Sequence, residues 1–185
     1  LSLPSIPDDV AVRGEIVMAK SIFDSKYRGK PSSSGIRKIN RNSVSGSLGG
    51  INHIDADFLA DLTFATYEVI LMSCDRQMAP GEQFKYLEAS GFVTAHHEAI
   101  STPTVTDDEL SAIYHRLLKE YPYEIDGLVL HIDRVYVREG ADNPSYARAF
   151  KEALDCDIAV TTVESIEWKP SQYGYLAPTV VDRKS

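Results

Sequence analysis

Residues Tyr123–Asp133 read YEIDGLVLHID. An apolar run, Leu128–Leu130, follows directly on the Asp126–Gly127 pair and ends at His131. A short aliphatic run behind a turn-forming pair reads as a buried strand. Burial alone explains neither the acid at its start nor the imidazole at its far end. Asp-Gly is also a hairpin signal, so Asp126 is open to a plain turn role. His131 fits strand packing and hydrogen-bond donation equally.

Working outward, more strands appear than helices. DDVAVRGEIVM (8–18) alternates across Val10, Val12, Gly14 and Ile16, and ADLTFATYEVILMS (60–73) is rich in β-branched and aromatic residues. DIAVTTVESIEW (157–168) and YGYLAPTVV (173–181) add two further strand runs. APGEQFKYLEASGF (79–92) is a punctuated helix: Pro80 lies at its start, Phe84, Leu87 and Tyr86 form its buried face, and Gly91 suits its C-cap. TVTDDELSAIYHRLLKEYP (104–122) is a second helix, with Thr106 and Glu109 as a capping box and Leu110, Ile113, Leu117 and Leu118 as its stripe. AKSIFDSKY (19–27) reads as a short helix with Ile22 and Phe23 inward, and NPSYARAFKEA (143–153) as a short helix or turn capped by Asn143 with Pro144 next. NRNSVSGSLGG (40–50) is too poor in apolar residues to be a core element, so Val44 and Leu48, or a ligand, must hold it down. Helices do not alternate regularly with strands. The fold class is therefore α+β, with mainly antiparallel sheets and flanking helices.

At 185 residues, with 43% hydrophobic and 25% charged residues, the chain can bury a core without disulfides. Cys74 and Cys156 match no metal spacing and read as buried free thiols, which suits a reducing intracellular setting. No apolar run approaches a membrane span. The net charge of −8 excludes a chain that grips nucleic acid by charge alone. The average hides a basic stretch, however. Between residues 20 and 41, Lys20, Lys26, Arg28, Lys30, Arg37, Lys38 and Arg41 face a single acid, Asp24. It is a candidate anion site, or a solvated loop.

VRGEIVM, NRNSVSGSL, FATYEV, QFKYLEASGF, YEIDGLVLHID, ARAFKEA and YGYLAPTVV follow one another in the order and near the spacing of a known family. Together they resemble the nucleotidyltransferase domain of the NAD-dependent DNA ligases across nearly the whole chain. The resemblance implies an ATP-grasp-like domain lacking its N-terminal part over residues 1–168. It also implies the truncated start of an oligonucleotide-binding barrel over 169–185. The implied activity is sealing of nicked duplex DNA through an adenylated intermediate, with NAD as the AMP donor and magnesium as the ion. Each step is phosphoryl transfer, which rests on positioning and charge stabilisation.

Carried over position by position, the resemblance puts Glu15 of VRGE on the ribose hydroxyls. Without it, an ion pair with Arg13 is the plainer reading of a carboxylate in an apolar strand. Arg41 becomes a nucleotide or nick contact, and Tyr67 lies against the adenine. Asp126 becomes a metal ligand, consistent with magnesium taking only one or two protein oxygens. Lys151 contacts the AMP phosphate. His131 stands where the family carries a lysine, exchanging a permanent cation for an imidazole whose ordinary pKa of about 6.5 leaves it mostly neutral.

Other departures are larger. The family's nucleophilic lysine lies in a K-x-D-G motif, and no K-x-D-G occurs in these residues. The expectation is that a missing segment or a second ligase subunit supplies it, and that this chain is inactive alone. A split enzyme points to a bacteriophage and so to a host cytoplasm; a fragment of a longer ligase is the equal alternative. Either way, a partner chain or missing segment is expected to cover the edge of the N-terminal strand. Asn40 replaces a proline before Arg41, and Gly49 replaces an arginine after GSL. These changes keep a second reading open, a module that binds the nick or the adenylate without chemistry. An ATP-dependent or RNA ligase is a third, disfavoured by the GSL loop and the YGYLAP ending.

Overall fold

The computed structural model describes residues 3–32, 35–37, 39–48, 56–74, 77–101, 104–137, 145–152, 160–171 and 174–182. The backbone packs as two compact units, Leu1–Lys151 and Glu152–Ser185. Within the first lie β1 (Val10–Met18), α1 (Lys20–Ile22, continuing as a π-helical turn Phe23–Tyr27), β2 (Pro31–Ser32), β3 (Gly35–Ile36) and α2 (Asn40–Leu48). They are followed by α3 (Ala56–Ala60), β4 (Leu62–Leu71), α4 (Pro80–Ala89), α5 (Asp107–Glu120), β5 (Leu128–His131) and β6 (Ala147–Phe150). The second unit holds β7 (Val163–Pro170) and β8 (Leu176–Asp182). The described strands pair antiparallel as β1–β4, β2–β3, β5–β6 and β7–β8. The α+β class expected from the sequence is the one observed.

The β1–β4 ribbon is the spine of the first unit. Val10–Arg13 pair with Leu71–Glu68, and Gly14–Met18 pair with Thr66–Leu62. The register slips between Arg13 and Gly14, so Tyr67 is an extra residue with no partner opposite it. That is a β-bulge, a device that bends a strand and re-aims a side chain. Gly14 sits at the slip because nothing larger fits. A Cβ there would lie 2.4 Å from the Ala65 carbonyl oxygen and 2.8 Å from the Phe64 ring.

Two apolar clusters flank the ribbon. Val69, Leu87 and Phe92 pack with Ile6, Val10, Val12, Phe64, Leu71, Met78 and Tyr86, which fixes α4 against one face. Met18, Phe23, Val44, Phe58 and Leu62 form the second, with Ile22, Tyr27 and Leu59 against it. Fully burying an aromatic such as Phe23 or Phe58 is worth about 1.5–3 kcal/mol. Val44 therefore holds α2 down, as the sequence required, whereas Leu48 is 46% exposed and does not.

The helix ends follow their sequence signals. Gly91 takes φ 85°, and the amides of Gly91 and Phe92 donate to the carbonyls of Glu88 and Leu87, each at 3.0 Å. This is the Schellman arrangement. At the other end of α4, Glu82 accepts from the Ala79 amide at 3.3 Å, and Asp133 accepts from the Gly81 amide at 2.9 Å. Asp133 lies just beyond β5, so one carboxylate caps α4 and ties it to that strand. Thr106 and Glu109 form the expected capping box on α5.

Several expectations need correction. ARAF within NPSYARAFKEA is strand β6, paired with β5, because its backbone groups find the Leu128–His131 edge instead of closing a helical turn. Asn143 and Pro144, like Cys156, Lys38 and Gly49, fall outside the described residues. Gln83 takes the buried position on α4, while Phe84 stacks on His97 with ring centroids 3.9 Å apart. Tyr114 joins Leu110 and Leu117 in the buried stripe of α5. Cys74 is exposed.

Gln83 is buried because its amide is fully used. It accepts from the Val69 amide at 2.8 Å and donates to the Met78 carbonyl at 2.7 Å and the Tyr136 hydroxyl at 3.0 Å. Gln83→Ala strands those partners and should lower the unfolding free energy by about 2–4 kcal/mol in urea titrations. A loss under about 0.5 kcal/mol, the scale of an ordinary surface change, would contradict this packing.

Candidate functional site

The site is assembled on the face of the β1–β4 ribbon away from Val69. Alternation puts Arg13 and Glu15 on that face. Arg13 pairs with Glu68 across the ribbon at 2.8 Å, which removes the simple reading of an Arg13–Glu15 ion pair. Glu15 is exposed. Next to it, the bulge presents Tyr67, whose ring is 40% exposed although a strand tyrosine usually packs inward. The Tyr67 hydroxyl has a raised pKa, chiefly from burial, with the charges of Glu15 and Glu68 adding to the shift and Arg13 opposing it. Glu15 and Tyr67 are thus electrostatic neighbours.

Arg41 comes from α2. Its helix is anchored by Val44 and by Asn40, a 3% exposed side chain that donates to the Met18 carbonyl at 2.9 Å. This bond ties the start of α2 to the end of β1, three residues from Glu15. Proline, which the family resemblance expects at this position, has no such donor. Beyond the anchor, Arg41 is exposed and its Nη1 donates to Asp126 Oδ2 at 3.0 Å.

Asp126 receives a second cation on the same atom. Lys151, directly after β6, donates from Nζ to Asp126 Oδ2 at 3.2 Å. Gly127 makes the approach possible. A Cβ there would lie 2.5 Å from the Phe150 carbonyl oxygen and 2.9 Å from Lys151 Cγ. Asp126–Gly127 is therefore not a hairpin turn. Its glycine lets the end of β6 lie flat against the start of β5, which is register-locked through Leu128–Phe150 and His131–Ala147.

The electrostatics link the whole group. The Arg41 hydrogen bond, reinforced by that of Lys151 and opposed by partial burial, holds the Asp126 carboxyl below its ordinary range. Arg41 is raised in turn, first by Asp126, with smaller contributions from Glu15 and Glu124. His131, at the far end of β5, is exposed but crowded. Burial of its ring lowers its pKa, and Glu68 opposes the shift. The imidazole is accordingly neutral near pH 7. Among the described residues, the Glu15 carboxylate, the Tyr67 hydroxyl and the His131 ring nitrogens have no hydrogen-bond partner.

Of the residues selected from sequence, Arg41, Asp126 and Lys151 meet by direct contact; Glu15, Tyr67 and His131 belong to the same region through longer-range charge effects alone, Glu15 on Arg41 and Tyr67, and Glu68 on Tyr67 and His131. Glu68 and Asn40 are its unselected members. Glu68 follows Tyr67 directly, but its pairing with Arg13 depends on the bulge, which has no sequence signature. Four other cations of the basic stretch are occupied elsewhere. Lys20 donates to the Leu118 carbonyl, Lys26 pairs with Asp61, Arg28 pairs with Asp24, and Arg37 lies over the Phe58 ring at 4.1 Å. Arg41, by contrast, is directed to this region.

A divalent ion needs oxygen ligands. The described residues hold no cluster of three or more histidine, cysteine, aspartate or glutamate side chains suited to a metal. Among the described residues, the hydrogen bonds to Asp126 fall on Oδ2 and leave Oδ1 open, so the residues fit an ion held by one carboxylate with ligand phosphates and water completing its shell. They do not fit an all-protein cage.

The model of the NAD-dependent DNA ligase adenylation domain matches residues 1–153. The chain belongs to that family. A DNA ligase of Acanthamoeba polyphaga mimivirus is 31% identical over 183 residues, covering 98% of this chain and 26% of the viral protein. A DNA ligase of Sinorhizobium fredii is 34% identical over 190 residues, covering 93% of this chain and 24% of that protein. One from Acinetobacter baylyi is 26% identical over 182 residues, covering 93% of this chain and 26% of its own length. The chain spans about a quarter of the length of these relatives. Among the described residues, no helix is long and apolar enough to cross a membrane.

A carboxyl with a lowered folded pKa is stabilised by its partners above the unfolded value of about 3.9, and loses that stabilisation as pH falls through the lower folded value. Arg41→Ala removes the largest cause of the shift. It should move the Asp126 titration upward toward the ordinary value, followed by carbon NMR of the carboxyl. An unchanged titration would contradict the Arg41 contact.

Proposed function

We propose that this chain is the adenylate- and nick-cradling part of an NAD-dependent DNA ligase, acting through an adenylated intermediate to seal nicks in duplex DNA. The observation that carries the reading is the convergence of Arg41 and Lys151 on one carboxylate oxygen, beside unpartnered groups on Glu15, Tyr67 and His131. This is the donor and acceptor set a nucleoside monophosphate needs. Tyr67 offers a ring face to the adenine, and Glu15 accepts from the ribose hydroxyls. Arg41 and Lys151 offer fixed positive charge to the phosphate. His131, neutral, donates one hydrogen bond where a lysine would place a charge.

Little covalent chemistry is asked of these side chains in phosphoryl transfer. Their work is to hold the phosphorus in line and to neutralise developing charge on its oxygens. NAD is the AMP donor in this reading. Magnesium, held at Asp126, would supply further charge neutralisation at the phosphate. The fold is read as ATP-grasp-like over residues 1–168, with 169–185 beginning an oligonucleotide-binding barrel. Support for the latter is the exposed apolar surface of β7 and β8, at Ile166, Trp168, Leu176 and Val180, which further strands would cover. The work is placed in the cytoplasm, a phage host's if the source is viral.

The nucleophilic lysine is proposed to come from outside these residues, on a K-x-D-G segment or a second chain, so the chain alone does not form the lysyl adenylate. Such a segment is also proposed to cover the edge of β1 that β4 leaves open. A non-catalytic module that binds adenylate or nick is the second reading, favoured by the neutral His131.

Reconstitution separates them. Combining the chain with the K-x-D-G-bearing segment, NAD, magnesium and nicked DNA should give adenylated protein and sealed product. Lys151→Ala should lower sealing by about 10²–10³-fold, the scale of losing one charge-stabilising donor. His131→Lys should preserve or raise it. Absence of both adenylation and sealing would leave only the binding module. Unchanged sealing by Lys151→Ala would remove Lys151 from the site.

A further inference from the structure

Two ion pairs among the described residues set a contrast with Asp126. Lys26 lies 2.9 Å from each oxygen of Asp61, and Arg116 Nη2 sits at 2.8 and 3.0 Å from the two oxygens of Glu98. In those pairs one cation occupies a whole carboxylate. Asp126 is the reverse case. One oxygen takes a guanidinium at 3.0 Å and an ammonium at 3.2 Å, and among the described residues the other oxygen takes no hydrogen bond. A single anionic oxygen between a guanidinium and an ammonium is the environment a non-bridging phosphate oxygen seeks.

We propose that Asp126 is a placeholder for the phosphate. In the unliganded protein its Oδ2 occupies, between Arg41 and Lys151, the position a phosphoryl oxygen would take. When the phosphate arrives, the cations transfer from carboxylate to phosphate and Asp126 is released. The inference rests on the adenylate reading above and adds a competition inside that site.

The surroundings allow the exchange. The side chains of Arg41, Asp126 and Lys151 are 65%, 57% and 64% exposed, so their pairing is weak and easily replaced. Anchors other than Asp126 place the backbone beneath both cations. The α2 segment that carries Arg41 is held by Val44 and by the Asn40 bond to Met18, and Lys151 follows strand β6, paired with β5. Removing the carboxylate charge should therefore leave two positioned, unopposed cations.

The alternative is a scaffold, in which Asp126 must keep hold of the cations for them to bind anything. The two roles predict opposite signs. Asp126→Asn keeps the shape and removes the charge. The comparison is AMP binding by the chain in EDTA, measured calorimetrically for the parent and Asp126→Asn, with adenosine and inorganic pyrophosphate as second and third probes. The placeholder role predicts AMP and pyrophosphate binding about fivefold tighter in Asp126→Asn, as expected for removing a weak competing ion pair, with adenosine unchanged. Unchanged adenosine affinity also shows that the variant is folded. Weaker or equal AMP binding by Asp126→Asn would overturn the placeholder and leave the adenylate reading standing. An equal gain for adenosine would place the effect away from the phosphate and overturn it too. No saturable AMP binding by the parent would overturn both.

Discussion

One oxygen of one carboxylate joins three distant parts of the sequence. Asp126 Oδ2 receives Arg41 from α2 and Lys151 from the end of β6. Pairs this exposed contribute about 0–1 kcal/mol each, so they do not hold the fold together. The dependence runs the other way. Buried neighbours place the charges: Val44 in its apolar cluster, Asn40 on the Met18 carbonyl, and Gly127 beneath Phe150 and Lys151. Stability gains little from the cluster itself, which is the observation behind the proposed ligand site.

The β1–β4 bulge does the complementary work. Without it, Tyr67 would alternate regularly along β4, and Glu68 would not lie opposite Arg13. With it, Arg13 is satisfied by Glu68, Glu15 keeps an unengaged carboxylate, and the Tyr67 ring remains exposed. The far end of the region is fixed through helix chemistry. Asp133 caps α4, which Leu87 packs against Val69, and so ties that helix to the chain just beyond His131.

The regular parts of this arrangement were legible in the sequence. Alternation gave β1, β-branched density gave β4, and the caps of α4 and α5 were written as Pro80, Gly91, Thr106 and Glu109. The family motifs also assign Glu15, Arg41, Tyr67, Asp126, His131 and Lys151 to one nucleotide site. What escaped was pairing. ARAF carries no strand density of its own and became β6 through the Leu128–His131 edge. Gln83 lies outside the apolar face drawn from Phe84, Tyr86 and Leu87, yet its amide satisfies Val69, Met78 and Tyr136. Asn40 read as a lost proline and proved to be an anchor. Each of these depends on a group far away in sequence, which local propensity cannot supply.

The central claim is that these side chains form one adenylate pocket. Its most direct test is to titrate AMP into the isotope-labelled chain and follow amide and side-chain chemical shifts. The account predicts saturable shifts concentrated at Glu15, Arg41, Tyr67, Asp126, His131 and Lys151, with the cores around Phe58 and Leu87 unmoved. Saturable shifts centred elsewhere, or none at millimolar AMP, would contradict it.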